Sequence, residues 1–196
     1  IVNALIYMGL IAQLLLSVHL FTIFFTALLN KMFGVPEMPL MEVSALTIAG
    51  YTFVFILFMD FAVFITHYLQ HKVPLLWQFH QVHHSAEVLT PMTVYRMHPV
   101  DLFFTGLVGA VLVGLGYAGY VYLTGAAPTA FEIMGLNIVL FVFYLLGYNL
   151  RHSHIWLSYP KWISNILVSP AQHQIHHSIE PKHWDRNMGL IFAFWD

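Results

Sequence analysis

Long apolar runs alternate with short polar stretches along this 196-residue chain. Four runs are long enough to cross a membrane, which takes ~20 residues of helix. They cover about residues 1–29, 43–66, 100–123 and 130–150. Asn30-Lys31 closes the first, and Pro36 and Pro39 break the chain before the second. Gly125 to Pro128 turns it between the third and fourth. The third run holds Gly106, Gly109, Gly114, Gly116 and Gly119, a spacing that lets helices approach closely in lipid. Two polar segments remain, 67–99 and 151–196, and four spans place both on one side. Leu75, Leu76, Trp77 and Phe79, then Trp162, Ile163, Ile166 and Leu167, recur at helical spacing. They predict amphipathic helices packed beneath the bundle. The expected fold is all-α: an integral-membrane four-helix bundle with a helical cap, a single domain over 1–196. Ile1 is not a start residue and Asp196 follows Phe194-Trp195 directly, so both termini read as truncated. No signal-peptide pattern is visible.

Composition supports the membrane reading. Apolar residues make up 59% and charged residues 8%, against roughly 25% charged in soluble domains. Seven basic residues cannot cover a soluble surface. Lys72, Arg96, Arg151, Lys161, Lys182 and Arg186 all fall in the two polar segments, and Lys31 lies opposite. The positive-inside rule makes the polar side cytoplasmic, in a bacterial inner membrane or the endoplasmic reticulum. A net charge of −2 excludes a nucleic-acid binder that relies on a basic surface. The absence of cysteine excludes disulfides, cysteine-ligated zinc, iron–sulfur clusters and thiol nucleophiles.

Thirteen histidines stand out in so uncharged a chain. His67 and His71 form HxxxH. His80, His83 and His84 form HxxHH, and His173, His176 and His177 form a second HxxHH. Positions i and i+3 or i+4 share a helix face, so each cluster aims two imidazoles at one point. The third lies about 100° round the helix and suits a neighbouring metal. Imidazole binds iron, zinc, copper or nickel. Eight such ligands suit two ions with four or five each, and His152 is a natural ninth. His98, His183 and His154 are weaker candidates for additional ligands or for supporting them. His19, alone in mid-span, reads as structural. Haem is disfavoured, because membrane cytochromes use single histidines on facing spans.

Asp60 is unusual as an ionisable group inside the second span, where insertion costs ~2.5–3.5 kcal/mol. It lies ~10 Å along the helix from His67, too far for a direct bond. It either holds a histidine of another helix by its outer ring nitrogen, or bonds a Ser, Tyr or Trp between helices.

These motifs resemble the fatty acid hydroxylase/sterol desaturase superfamily of membrane-bound, histidine-rich non-haem di-iron oxygenases. The resemblance is carried by Asp60-Phe61, His67–His71, Leu76–Ser85, Thr93–Pro99, Ser169–Ser178, Asp185–Gly189 and Trp195-Asp196. It covers about residues 50–196. It implies that His67, His71, His80, His83, His84, His152, His173, His176 and His177 hold a dinuclear centre. The implied cofactors are two Fe ions, replaceable by Zn in a purified sample, with O2 as co-substrate. Met188 departs from the pattern, where tyrosine is more usual, and His154 stands where Asn is frequent.

Nine imidazoles beneath a lipid bundle suit oxidative attack on a lipid C–H bond, which metal ions can carry. Neither the carboxylate-rich ligand set of soluble di-iron proteins nor a Ser–His–Asp arrangement is visible. The chain also lacks haem, flavin and NAD motifs, so an external electron donor is implied, a ferredoxin or a cytochrome b5-like protein. Lys72, Arg96 and Arg151 suit a lipid headgroup, that donor, or anchoring to the membrane surface. The expected function is an O2-dependent monooxygenase acting on a sterol, fatty acyl, sphingoid or related lipid. Desaturation by the same centre is the alternative. A divalent-metal transporter or binding protein is more remote, because transport predicts ligands along a mid-bilayer path.

Overall fold

The computed structural model describes residues 17–127, 132–133, 136–143 and 147–196. Helix α1, Val18–Phe33, begins at Ser17, whose hydroxyl accepts the Leu20 amide at 3.3 Å. It is the described part of the first predicted span; residues 1–16 of that span lie outside the described residues. Helix α2, Ala45–Lys72, is an unbroken 28 residues behind a Ser44 N-cap. That length rises ~42 Å, more than the ~30 Å of hydrocarbon. The surplus carries His67 and His71 past the apolar stretch. After the extended Val73, Pro74 starts α3, Pro74–His84, with its ring preset for the first turn. A 3-10 turn, Pro91–Tyr95, leads to α4, Pro99–Thr124, which ends at Gly125 in the left-handed region.

Helices α2 and α4 are each long and apolar enough to cross a membrane. They run antiparallel. The Tyr51 and Tyr120 rings meet edge-on at 4.5 Å near one end. At the other end Gln70 hydrogen-bonds Asp101. Helix α1 lies parallel to α4: the Tyr122 hydroxyl donates to the Gly34 carbonyl at 3.0 Å, and Phe21 crosses Gly114. A Cβ at Gly114 would fall 2.5 Å from Phe21 Cβ, so this crossing requires glycine. Gly109 and Gly119, read in sequence as part of the same close-approach pattern, face open space. Large apolar side chains such as Phe24, Met32, Leu46 and Phe53 remain exposed on the outer faces, as expected of surfaces that meet lipid.

Two expectations need correction. The fourth span was predicted as one helix over about 130–150. Instead Glu132–Ile133 (β1) pairs antiparallel with Leu136–Asn137 (β2), and helix α5 covers Ile138–Phe143. Polar Glu132 and Asn137 interrupt the apolar run, and Asn has weak helix propensity. Residues 130–131, 134–135 and 144–146 of that span lie outside the described residues.

The second correction concerns 151–196, predicted as amphipathic helices packed beneath the bundle. Lys161–Ser164 is a single turn, and helix α6, Pro170–His176, is seven residues with a Ser169/Gln172 capping box. Beyond it the chain doubles back along α2. Leu167 and Phe192 form a bridge, and Phe192 meets Phe53 at 6.4 Å. Trp195 meets Phe61 at 5.1 Å. Phe53 is ~21 Å along the helix from His67, so this strap descends well into the apolar length. Irregular backbone there needs its own acceptors, since lipid supplies none.

Candidate metal centre

Three helix ends and one turn converge at the same end of the α2/α4 pair. The last turns of α2 bring His67 and His71, α3 brings His80, His83 and His84, the turn Asn149–Arg151 brings His152, and α6 brings His173, His176 and His177. Their ring nitrogens fall into two groups, each within 4.8 Å and each able to hold a metal ion. His67, His71, His80, His84 and His176 form one set of five; His83, His152, His173 and His177 form a set of four. The adjacent pairs His83/His84 and His176/His177 are each split between the sets. Neighbouring residues on a helix point about 100° apart, so one α3 turn and one α6 turn serve both points.

The geometry fits cations. His152 Nε2 lies 3.1 Å from both His83 Nε2 and His173 Nε2, and 3.2 Å from His177 Nε2. His84 Nε2 lies 3.2 Å from both His71 Nε2 and His80 Nε2. One N–H cannot serve three facing nitrogens, and protonated rings would repel. Nitrogens ~2.0–2.1 Å from a shared ion have about this mutual spacing. His67 Nε2 and His176 Nε2 are buried with no hydrogen-bond partner among the described residues. Burial pushes the imidazoles toward the neutral form that ligates. His80 falls to about 4 by burial, and His83 and His152 to about 3 by burial and then the neighbouring imidazole. His173 and His176 are lowered well below the usual imidazole value, by burial above all.

The outer nitrogens of the two sets differ. The Met188 carbonyl accepts from His67 Nδ1 and the Arg186 carbonyl from His176 Nδ1, each at 2.8 Å. Asp101 Oδ2 accepts from His80 Nδ1 at 3.0 Å, and Asp185 Oδ1 stands 3.8 Å from His71 Nδ1. A carbonyl can only accept, so His67 and His176 carry their proton on Nδ1 and turn the Nε2 lone pair inward. In the set of four, Nδ1 of His83, His152 and His173 is buried and makes no hydrogen bond among the described residues. The Arg96 backbone approaches the His83 ring without reaching hydrogen-bond geometry.

The remaining candidates lie elsewhere. His98 caps α4, its Nδ1 accepting the Val100 amide at 3.2 Å, and its ring packs on Phe79. His154 is exposed, and His183 sits in a turn with Nδ1 buried. None joins either set. Asp60 does not hold an imidazole. Its carboxylate accepts the Ile191 amide at 2.6 Å, the Phe192 amide at 3.1 Å and Trp195 Nε1 at 2.8 Å. Of the two roles open in the sequence, the bond between elements is the one realised, and its partner is the strap. A carboxylate that does hydrogen-bond a histidine is Asp101, which the sequence reading passed over. Its signal was an acidic residue inside the third apolar run, two positions after His98-Pro99. The Arg186 and Met188 contacts had no signal, because a main-chain carbonyl carries no residue identity.

Among the described residues, two cavities that meet the cluster share no lining residue. One, about 370 Å3, touches His67, His80, His83, His152 and His173 and is walled by apolar groups including Val63, Val94 and Leu102. The other, about 470 Å3, touches His71, His84, His176 and His177 and is bordered by Trp77 and Trp184. The nine imidazoles thus form the partition between them.

A model of the family described as fatty acid hydroxylase matches residues 52–196. The ornithine lipid hydroxylase of Rhizobium tropici is 29% identical over 138 residues, 70% of this chain and 37% of that protein. Cholesterol 25-hydroxylase of Homo sapiens is 30% identical over 143 residues, 72% of this chain and 47% of the relative. A Delta(7)-sterol 5(6)-desaturase of Gibberella zeae is 24% identical over 145 residues, 74% of this chain and 39% of its own length. The chain therefore spans less than half the length of these relatives. No solved structure matches it.

Proposed function

The chain belongs to the fatty acid hydroxylase family, and we propose that it is an O2-dependent lipid hydroxylase of the non-haem di-iron type. It acts on a sterol, fatty acyl, sphingoid or related lipid. The supporting observation is the partition of imidazoles lying against an apolar cavity between two membrane-length helices. The five-histidine and four-histidine sets would each hold one iron. Bound iron supplies the reduction of O2 and the oxidising power that breaks a C–H bond.

The rest falls to the protein's own groups. Val63, Val94 and Leu102 offer an apolar wall to an acyl or ring system, holding one carbon against the cluster and excluding water. His80 is kept in one tautomer by Asp101, and His67 and His176 by backbone carbonyls. The net reaction takes R–H, O2, two electrons and two protons to R–OH and water. The electrons come from an external protein, a ferredoxin or a cytochrome b5-like donor. On this reading the enzyme is multi-pass, with the histidine side cytoplasmic.

Anaerobically purified protein from iron-57-grown cells should hold two irons per chain with a coupled Mössbauer signal. It should hydroxylate a lipid when given the donor system. His83→Ala and His176→Ala should each lose one ion and all turnover, while His19→Ala on exposed α1 keeps both. Equal damage from His19→Ala with His83→Ala active would overturn the site. Desaturation is the second reading, favoured by the sterol desaturase match; an alkene product would select it.

A further inference from the structure

We infer that the two metal sites are unequal: the five-histidine site is preset by its surroundings, fills first and holds its ion more tightly, while the four-histidine site fills second. This rests on the dinuclear reading of the site and adds an order of assembly to it. Three of the five imidazoles already have their outer nitrogen fixed, by Met188, Arg186 and Asp101. A fourth, His71, faces the Asp185 carboxylate. A carboxylate or carbonyl on the outer nitrogen fixes the ring's orientation and raises its basicity, and losing such a partner typically weakens metal binding 10–100-fold. His152 and His173 have no such partner among the described residues, so their rings must be ordered by the ion itself.

The device that presets the first site is the strap. Asp185 and Asn187 both take the left-handed conformation, φ 59° and 55°, uncommon away from glycine and tolerated by Asp and Asn. With these two residues flanking Arg186, the Arg186 carbonyl turns toward α6 and the Met188 carbonyl toward α2. Asp196 then accepts the Met188 amide at 3.0 Å, and Asp60 holds Ile191, Phe192 and Trp195. The strap is therefore tied down at and beyond Met188, on the C-terminal side of the carbonyls that orient His176 and His67. Asp60 and Asp196 are positioning residues for one site, acting through main chain. Asp101, fully buried at 1% exposure, acts on the same site directly through His80.

The test is an anaerobic titration of the metal-stripped full chain in detergent micelles with Co(II), followed by visible absorption and by bound metal after gel filtration. The expected result is two steps, the first complete at one ion per chain and at least ~10-fold tighter. His152→Ala should abolish the loose step and leave the tight one. Asp101→Asn should weaken the tight step ~10–100-fold and leave the loose step in place, a selectivity that general loss of fold would not produce. Asp196→Asn, on the exposed end of the strap, should move the same step in the same direction and serves if Asp101→Asn does not fold. Two ions entering with equal affinity would overturn the inference while leaving the dinuclear site standing. So would His152→Ala removing the tight step. No cobalt bound to folded protein would instead overturn the two-metal reading itself.

Discussion

The Met188 carbonyl lies 2.8 Å from His67 Nδ1 across 121 positions of sequence. That bond fixes which nitrogen of His67 faces the cluster. It also ties the strap to the last turns of α2, so the strap and the candidate metal centre are held as one unit. Several measurable consequences follow from how that unit is held.

Removing the Asp60 carboxylate should destabilise the protein rather than change its chemistry directly. Asp60 is fully buried and accepts three donors. A hydrogen bond to a charged group is worth ~1.5–3 kcal/mol, and each orphaned donor adds a desolvation cost. Asp60→Ala should cost on the order of 3 kcal/mol or more. Asp60→Asn, which keeps one acceptor oxygen, should cost less. Thermal unfolding in detergent gives the ranking, and hydrogen exchange should show the loss concentrated in residues 188–196. Wild-type stability in Asp60→Ala would refute the clamp.

The crossing of α1 over α4 should be sensitive at one glycine and indifferent at another. A Cβ at Gly114 meets Phe21 Cβ and the Phe21 backbone, whereas Gly109 has open space. Gly114→Ala should cost ~1–3 kcal/mol, the usual penalty of overpacking. Gly109→Ala should be neutral or gain up to ~1 kcal/mol from helix propensity. Melting temperatures of the two variants, side by side, decide it.

Acid should destabilise the metal-free protein, beginning just below neutrality. His80, His83 and His152 titrate near 6.5 in the unfolded chain and at about 4, 3 and 3 when folded. Between those values the unfolded state binds the extra protons, so stability rises with pH across the window. It is fully present above about 6.5 and is lost as pH falls toward the folded values. At pH 5 each such histidine costs up to ~2 kcal/mol, at 1.36 kcal/mol per unit. Metal affinity should fall over the same range, because the ligands must be neutral. A melting temperature flat from pH 7 to 5 would contradict this.

Filling the apolar cavity should block substrate without disturbing metal. Val63 lines that cavity and is not a ligand candidate. Val63→Trp should leave two ions per chain and lower lipid turnover by at least ~10-fold through lost positioning. Trp184→Ala, at the mouth of the other cavity, should leave lipid binding intact. The reverse pattern in lipid-binding measurements would move the substrate to the second cavity.

Much of the fold was legible because helix periodicity is local. Apolar runs found α2 and α4, and Pro74, Pro99 and Pro170 mark where three helices begin. The fourth run misled, because hydropathy alone does not register that Glu132 pairs with Asn137. The same limit applies to Trp162, Ile163, Ile166 and Leu167. Their spacing suits a helix, yet Leu167 bridges Phe192 instead, and a pairing with a distant segment overrides local preference.

The sequence by itself determined which residues could meet at a metal. Histidines three and four apart share a face, and an adjacent one points about 100° away, properties of any helix wherever it packs. Only the tertiary structure decided the partition into five and four, and gave the outer nitrogens their partners. It also put Asp101 rather than Asp60 beside a histidine. Those outcomes depend on where the strap returns along α2, and the carbonyls it presents there belong to the backbone, which is chemically the same at every residue.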